Sequence, residues 1–487
     1  MRKTTLFTTA LVAVGTLFAS AGLAGAAAIS DVNQVSNFPE ADWGDLGWTT
    51  VAAHPNGNSL VVYFGYEVEA NSGSDGVGHH YAQLLGPDGA PLTDPVSLGD
   101  DSTDYYYSGP AVVYNPVTDG WSAFLIPLDS GKILHQAINT DGSLSGASTE
   151  IWDSSTYPLL ADGRTIAYMA QANAVWVESE NHFLFSAVVE YITPLTNTND
   201  DEQWMTFTVS SAGARLTGPT VVGDVYDPYA NGQMAYSPTS DRALLVTVGY
   251  VESGDTYAPF GQLVDGSGAR VGSTIRIIPN AEASQVSGAG VSWNSSTNKF
   301  LVVWSSSRNN NCSTPTTACG MWGQLVNADG TLSGDRITLF STTDTTEDFY
   351  RPQLTANGAS NEYVLVWHMG PNWNPGTNVW ALRVDGTGAP IGDELNVSES
   401  EGGANSVHQR PAVTLNNNAC AYVVTWQGNP DDQADPELQH IYSRTIETGE
   451  VCVLPSTGLQ TTTLMVGLAM LLSGAAVLGG TRRRRLA

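Results

Sequence analysis

Three nearly identical strand sequences occur in the last part of the chain: Asn298-Lys-Phe-Leu-Val-Val-Trp304, Asn361-Glu-Tyr-Val-Leu-Val-Trp367 and Ala419-Cys-Ala-Tyr-Val-Val-Thr-Trp426. Weaker copies of the pattern lie at 59–64, 121–126, 182–188 and 242–248. The Val, Tyr and Trp residues that dominate these copies favour β-strands. Seven copies of one strand pattern indicate a repeat architecture.

Each copy is flanked by two further short apolar strands. The preceding strand ends in a turn, as in Ala111-Val-Val-Tyr-Asn115, and the following strand runs into a glycine turn, as in Ala381-Leu-Arg-Val384 before Asp385-Gly386. The aligned turn glycines are Gly89, Gly142, Gly213, Gly268, Gly330, Gly388 and Gly449. Their six intervals span 360 residues, which gives a mean period of 60 residues per repeat.

This arithmetic predicts an all-β fold, a seven-bladed β-propeller of four-stranded antiparallel blades over residues 29–453. Helical periodicity with caps is not found, and 50 Gly and 24 Pro residues suit tight turns. The repeats resemble secreted bacterial propeller repeats of largely unassigned function, and this resemblance implies a fold but no activity. Two sandwich domains are the alternative architecture.

The last repeat has a third strand near 440–446 but no clear fourth strand. We expect Ile29-Ser-Asp-Val-Asn33 to supply it, so that the last blade is closed by the N-terminal strand and two sheet edges are covered. The four cysteines allow three disulfide connectivities and suit an oxidising, extracellular setting. We predict the pairs Cys312–Cys319 and Cys420–Cys452, because ring closure would bring the second pair together.

Residues 1–28 have the organisation of a signal peptide, with basic Arg2 and Lys3, an apolar stretch and small residues up to Ala28. A retained N-terminal anchor is the alternative. The whole chain has 48 acidic and 19 basic residues. Without the six basic residues of the two ends it has 48 acidic and 13 basic residues, a formal charge of −35. This balance argues against partners such as nucleic acid or an anionic membrane surface.

The C-terminal end combines several signals in one order. Leu454-Pro455-Ser456-Thr457-Gly458 precedes 459–480, a polar spacer with an uncharged apolar membrane segment, and 481–487, a basic cytoplasmic tail. An apolar span with a cationic stop holds a chain in the membrane with its positive side inward. The arrangement resembles the LPxTG sorting signal of Gram-positive surface proteins.

That resemblance implies that the five residues are a substrate for sortase rather than an active site. Sortase would release Gly458 and transfer Thr457 to an amine of peptidoglycan. The protein would then be secreted and covalently anchored to the cell wall. An ordinary single-span membrane protein is the alternative.

Two arginines are candidate ligand-binding residues. Arg351 and Arg410 each precede a proline at equivalent repeat positions, and Pro352 and Pro411 are compatible with the start of an innermost strand. We therefore expect both guanidinium groups to flank the axial mouth, where they could hold an anionic ligand bidentately. Nearby aromatic candidates are Trp43, Trp48, Tyr106, Tyr107 and Tyr350. Internal salt bridges to the many carboxylates are the competing interpretation.

The remaining patterns predict no catalytic residue and no metal or other cofactor. A nucleophile elbow, a zinc-binding helix and a P-loop are missing. Acidic clusters at 197–202 and 431–437 suggest calcium only weakly, because neither has a defined loop register. The sequence favours a non-catalytic binding module for a glycan, wall polymer or protein, acting through the propeller face with the long loops. An extracellular glycoside hydrolase using paired carboxylates and a structural wall component are the alternatives.

Overall fold

The protein is a seven-bladed β-propeller, as predicted, built from seven four-stranded antiparallel sheets. Each innermost strand contacts the innermost strand of the next blade, and the last contacts the first, so the ring is closed. The computed structural model describes residues 28–36, 47–66, 78–99, 109–127, 131–155, 165–192, 202–225, 232–251, 256–278, 286–306, 319–342, 348–370, 376–399, 406–429 and 439–447.

The strands follow one another blade by blade along the chain. The first four blades are formed by β2 (Gly47–Ala53), β3 (Ser59–Tyr66), β4 (Gly78–Leu85) and β5 (Val96–Ser97); β6 (Ala111–Asn115), β7 (Gly120–Leu125), β8 (Lys132–Ile138) and β9 (Thr149–Asp153); β10 (Thr165–Val177), β11 (His182–Ile192), β12 (Glu202–Ser210) and β13 (Thr220–Val225); and β14 (Gln233–Ser237), β15 (Arg242–Val251), β16 (Thr256–Asp265) and β17 (Arg270–Arg276).

The last three blades repeat the same order from the axis outwards. They are formed by β18 (Val286–Asn294), β19 (Lys299–Ser306), β20 (Cys319–Asn327) and β21 (Leu332–Thr342); β22 (Asp348–Asn357), β23 (Glu362–Gly370), β24 (Asn378–Asp385) and β25 (Pro390–Asn396); and β26 (Val407–Asn416), β27 (Ala421–Asn429), β28 (His440–Glu447) and the N-terminal β1 (Asn33–Gln34).

The N-terminal segment closes the last blade, which confirms the predicted ring closure. Asn33 pairs with Ser443 in the antiparallel register of β1 and β28. An isolated bridge joins Ile29 to Ile446 further along the same edge. The outer edge of β28 is therefore covered by a segment from the opposite end of the chain.

The repeated tryptophans pack between blades. Trp304, Trp367 and Trp426 are 1%, 0% and 0% exposed. Trp304 packs in a cluster with residues of the fourth blade, and Trp426 packs with residues of the sixth. Full burial of such large side chains contributes to inter-blade stability.

Both ends of the chain, including the signal peptide and residues 454–458, lie outside the described residues, so their assignments stay predictions. Cys319 and Cys420 are each disulfide-bonded. Their predicted partners, Cys312 and Cys452, also lie outside the described residues, and the pairing likewise stays a prediction. Among the described residues, no helix is long and apolar enough to cross a membrane.

Candidate functional site

A cavity of about 170 Å³ lies where the innermost strands converge on the axis of the ring. Its lining consists of 48–50, 109–112, 172–174, 232–233, Arg351, Gln353 and 410–412. Most of these residues lie near the N-terminal ends of the innermost strands, and therefore towards the face that carries the inter-blade connections, whereas 172–174 lie in the second half of β10. Sites for drug-sized ligands usually measure ~300–1,000 Å³. The cavity therefore suits one small group or the end of a longer ligand.

A β-bulge recurs in three consecutive blades at the wall of this cavity. In the register between β22 and β23 the bulge falls between Tyr350 and Gln353, so Arg351 and Pro352 together oppose Trp367. Irregularities at equivalent positions occur between Gln409 and Ala412 in β26 and between Gly47 and Thr50 in β2.

The expectation that Pro352 and Pro411 start their strands is wrong. Both prolines lie inside strands, at β22 Asp348–Asn357 and β26 Val407–Asn416. A bulge leaves one residue outside the ladder of hydrogen bonds, so it accepts a residue that lacks an N–H group. The ladder continues on both sides of each proline.

Arg351 and Arg410, which precede the two prolines, have an unusual backbone conformation, and so does Trp48 in the bulge of β2. Their φ angles are 52°, 50° and 55°. This left-handed conformation costs a residue with a side chain about 1–2 kcal/mol relative to the right-handed one. The other described non-glycine residues with positive φ directly precede the second strand of a blade; they are Asp119, Asn181, Asp241, Asn298, Asn361 and Cys420. Strain on bulky side chains is thus concentrated at the axial cavity.

Both strained arginines contact the third strained residue, Trp48. The guanidinium carbons of Arg351 and Arg410 lie over the ring of Trp48, at 4.1 and 4.4 Å from its centroid. The two cationic groups are therefore separated by no more than the sum of these distances. The negative face of the indole attracts each guanidinium group and offsets part of their mutual repulsion.

Neighbouring polar groups fix the position of Arg410. Its Nη1 donates a hydrogen bond to Oε1 of Gln427 at 3.2 Å, and its carbonyl accepts one from Oγ1 of Thr49 at 3.1 Å. Gly47 lies against both Gln427 and Arg410, and a Cβ atom there would collide with the Gln427 amide. Thr49 of the first blade thus holds the backbone of Arg410, and Gln427 of the seventh blade holds its side chain.

His368 lies beneath the two arginines and is uncharged. Its side chain is 2% exposed and stacks on Tyr350 at 5.4 Å between ring centroids. Its Nδ1 accepts a hydrogen bond from the backbone N–H of Arg410 at 3.4 Å. Burial, followed by the charges of Arg351 and Arg410, holds the pKa of His368 well below its usual value. The histidine therefore supports the site without adding positive charge to it.

The second to fourth blades contribute several small residues to the lining. They include Gly109, Ala172 and Gly232. Gly109 lies beside the Trp48 ring, and a Cβ atom there would be in ordinary contact with it at 3.4 Å. Within the described lining there is no Asp or Glu.

Three amide side chains complete the lining. Nδ2 of Asn173 donates to the carbonyl of Gly232 at 3.0 Å, and Nε2 of Gln233 donates to the carbonyl of Pro352 at 3.0 Å. The Asn173 amide therefore joins the third and fourth blades, and the Gln233 amide joins the fourth and sixth. Gln353 is half-buried, and its amide forms no hydrogen bond with any residue that the structure describes. It is the amide best placed to contact a ligand.

The structure brings Arg351, Arg410 and Trp48 together, whereas Tyr350 is absent from the described lining and stacks on His368. Trp43, Tyr106 and Tyr107 lie outside the described residues, as do most residues of the two acidic clusters. No group of three or more His, Cys, Asp or Glu side chains suited to a metal ion occurs in the described part of the chain.

Comparisons with known proteins extend the description of the fold. No protein-family model and no curated protein matches the chain. A protein of unknown function from Dyadobacter fermentans is 10% identical, with a TM-score of 0.49, over 87% of this chain and 99% of its own. The β-propeller domain of the Trilobed protease from Pyrococcus furiosus is 8% identical, with a TM-score of 0.41, over 90% and 99% of the two chains.

Glycoside hydrolases also occur among the similar structures. The α-L-arabinofuranosidase from Podospora anserina, solved with cellotriose, is 9% identical, with a TM-score of 0.35, over 57% of this chain and 90% of its own. At these identities the likeness concerns the fold alone.

Proposed function

We propose that this protein is a cell-wall-anchored, non-catalytic binding propeller whose axial cavity takes an anionic group of its ligand. The observation that carries the proposal is the placement of two guanidinium groups over one indole ring in a central cavity. Guanidinium groups match carboxylate and similar anions with paired, charge-assisted hydrogen bonds. The formal charge of the whole chain is −29, so a cationic pair at the axis is a local exception.

The composition of the cavity supports binding over hydrolysis. Glycoside hydrolases with the usual mechanism need two carboxyl groups about 5–10 Å apart. The described lining has cations, amides and small residues but no carboxylate. The neutral state of His368, deep below the arginines, gives no exposed general acid at this position.

The direction of the last strand supports the anchoring part of the proposal. β28 runs antiparallel to β27 and ends at Glu447, on the face opposite the inter-blade connections. A chain that continues from there to Thr457 would attach to peptidoglycan on that side. The mouth of the cavity would then point away from the attachment. Deletion of the sortase of the host should release the protein into the medium with its apolar tail still present, whereas a single-span membrane protein would stay with the cells.

A binding assay with matched variants tests the ligand site. We expect the purified protein to bind acidic members of a glycan array, and Arg351→Ala/Arg410→Ala to lose at least tenfold in affinity. Arg336→Ala removes an arginine that lies over Trp322 on the outer part of the fifth blade, and should change nothing. If the double alanine variant unfolds, Arg351→Gly/Arg410→Gly replaces it, because glycine accepts the positive φ of both positions. Unchanged binding in a folded double variant would assign the arginines to internal ion pairs instead.

A further inference from the structure

The cavity is asymmetric in its chemistry. Arg351, Arg410 and Trp48 line one side of the cavity. Small residues of the second to fourth blades line the other side. Ala111 and Ala174 extend that smooth wall. A ligand in the cavity therefore meets cationic donors on one side and, on the other, an uncharged surface of small residues with the amides of Asn173 and Gln233.

Gln353 adds a neutral donor and acceptor next to the cations. It follows Arg351 by two positions on β22, and both side chains line the cavity. Among the described residues its amide has no hydrogen-bond partner. An amide can accept from one hydroxyl and donate to another. The neighbourhood of an arginine pair and such an amide suits a carboxylate with a hydroxyl group close to it.

We infer that the anionic group is the carboxylate of a sugar acid at the end of a glycan chain. This inference rests on the proposed function. The carboxylate would lie between Arg351 and Arg410, a ring hydroxyl would contact Gln353, and the C–H face of the sugar would pack on the small-residue wall. A phosphate or sulfate would use the arginines but has no C–H face to pack on the small residues of the other side.

Size and charge select the end of a chain carrying few charges. The cavity of about 170 Å³ is enclosed by a ring of strands, so a glycan can enter it only with a terminal residue. The net charge of −29 repels densely charged polyanions at low ionic strength. A single carboxylate at a terminus gains the local attraction of the arginines with the smallest repulsion from the rest of the surface.

Calorimetry with a trisaccharide that carries one terminal galacturonate on two galactose residues, with its methyl ester and with neutral galactotriose, tests this inference on the purified protein. We expect the acid to bind at least tenfold more tightly than the ester or the neutral sugar, because the ester keeps the shape and loses the charge. Gln353→Ala should weaken binding of the acidic trisaccharide several-fold and leave binding of inorganic phosphate unchanged. The Arg336→Ala variant serves as the folded control.

Two further probes separate failure of this inference from failure of the proposed function. If inorganic phosphate, or a peptide with a free C-terminal carboxylate, binds more tightly than the acidic trisaccharide and depends on Arg351 and Arg410, the site binds anions but the sugar-acid assignment is wrong. If no acidic probe binds in a way that depends on the two arginines, both proposals are wrong. Equal binding of the acid and its methyl ester also contradicts the inference.

Discussion

The guanidinium carbon of Arg351, in the sixth blade, lies 4.1 Å from the ring centroid of Trp48, in the first blade. Blade seven lies between these two blades around the ring, and its Arg410 lies over the same indole. The cluster therefore crosses the place where β26 contacts β2 and the first blade meets the last. The contact between the first and last blades that closes the ring therefore also brings Trp48 to the two arginines.

Arg351→Gly should be more stable than Arg351→Ala. Both substitutions remove the contact with Trp48, so the difference between them isolates the backbone. Since φ at this position is 52°, glycine should exceed alanine by about 1 kcal/mol in the free energy of unfolding. Urea denaturation of the two variants measures the difference. Equal stability would mean that the left-handed conformation is not retained once the side chain is shortened.

Trp48→Leu should lower the free energy of unfolding, because the two guanidinium groups lose the aromatic face that attracts them. A double-mutant cycle with Arg351→Met should give a coupling energy of about 0.5–2 kcal/mol, the range of cation–π contacts from exposed to desolvated. Trp48→Phe is the conservative control and should keep part of the coupling. Additive effects of Trp48→Leu and Arg351→Met would show that the stacked geometry contributes no energy.

Acid should destabilise the protein through its buried histidines. Burial lowers the pKa of His135 to about 4, whereas an unfolded histidine titrates near 6.5. Between these values the unfolded chain binds more protons, so stability is complete above pH ~6.5 and falls as the pH drops, by about 1.4 kcal/mol per pH unit for one histidine. His368 has a lowered pKa as well and adds to the loss.

The His135→Gln variant tests this linkage. Its free energy of unfolding should depend less steeply on pH between about 4 and 6.5. The imidazole Nε2 lies 2.9 Å from Oγ of Ser122, so the substitution also lowers stability at neutral pH, but that loss does not depend on pH. Parallel pH profiles for the two proteins would contradict the prediction.

A buried ion pair within the sixth blade, hydrogen-bonded to Tyr422 of the seventh blade, should be costly to break. Nη2 of Arg383 lies 2.6 Å from Oε2 of Glu362, with the two side chains 12% and 2% exposed. The hydroxyl of Tyr422 donates to Oε1 of Glu362 at 2.8 Å. Glu362→Gln should cost about 3–5 kcal/mol, because the Arg383 charge stays buried without its partner.

Two variants separate the charge from the packing at this pair. Tyr422→Phe removes only a hydrogen bond to a charged group and should cost about 1.5–3 kcal/mol. Glu362→Leu/Arg383→Met removes both charges and should cost less than Glu362→Gln alone. Thermal unfolding of the three proteins gives the order. A double variant less stable than Glu362→Gln would show that the ion pair itself stabilises the sixth blade.

The blade count, the closing strand and the pairing of Arg351 with Arg410 could be predicted because each depends on repeat register, which the sequence shows directly. The bulge could not, since an inserted residue is visible only when the partner strand is known, and Pro352 alone is equally compatible with a strand start. Trp48 is among the predicted candidates, but its contact with both arginines depends on packing across the seam. His368 was missed because the aligned repeat ends at Trp367, whereas β23 continues to Gly370.

Deletion of residues 28–36 should open the ring and expose an edge strand. Val35 is 0% exposed, and its N–H donates to the carbonyl of Ile441 at 2.7 Å. Arg444 ties this segment to the sixth blade, since Nη1 donates to the carbonyl of Val397 at 2.8 Å and Nε donates to the carbonyl of Ser30. Without the segment, β28 presents unpaired backbone groups that can join the same edge of another copy.

The expected result of that deletion is a lower unfolding temperature together with dimers or larger assemblies in light scattering. A synthetic peptide of residues 28–36 should restore both the monomer and the unfolding temperature, because it can occupy the vacant edge. Arg444→Met is the milder companion variant and should lower stability while leaving the protein monomeric, since it keeps the strand in place. A deletion variant that stays monomeric and unfolds at the original temperature would show that the seam does not need β1, and that the contact of Trp48 with the two arginines is held by the innermost strands alone.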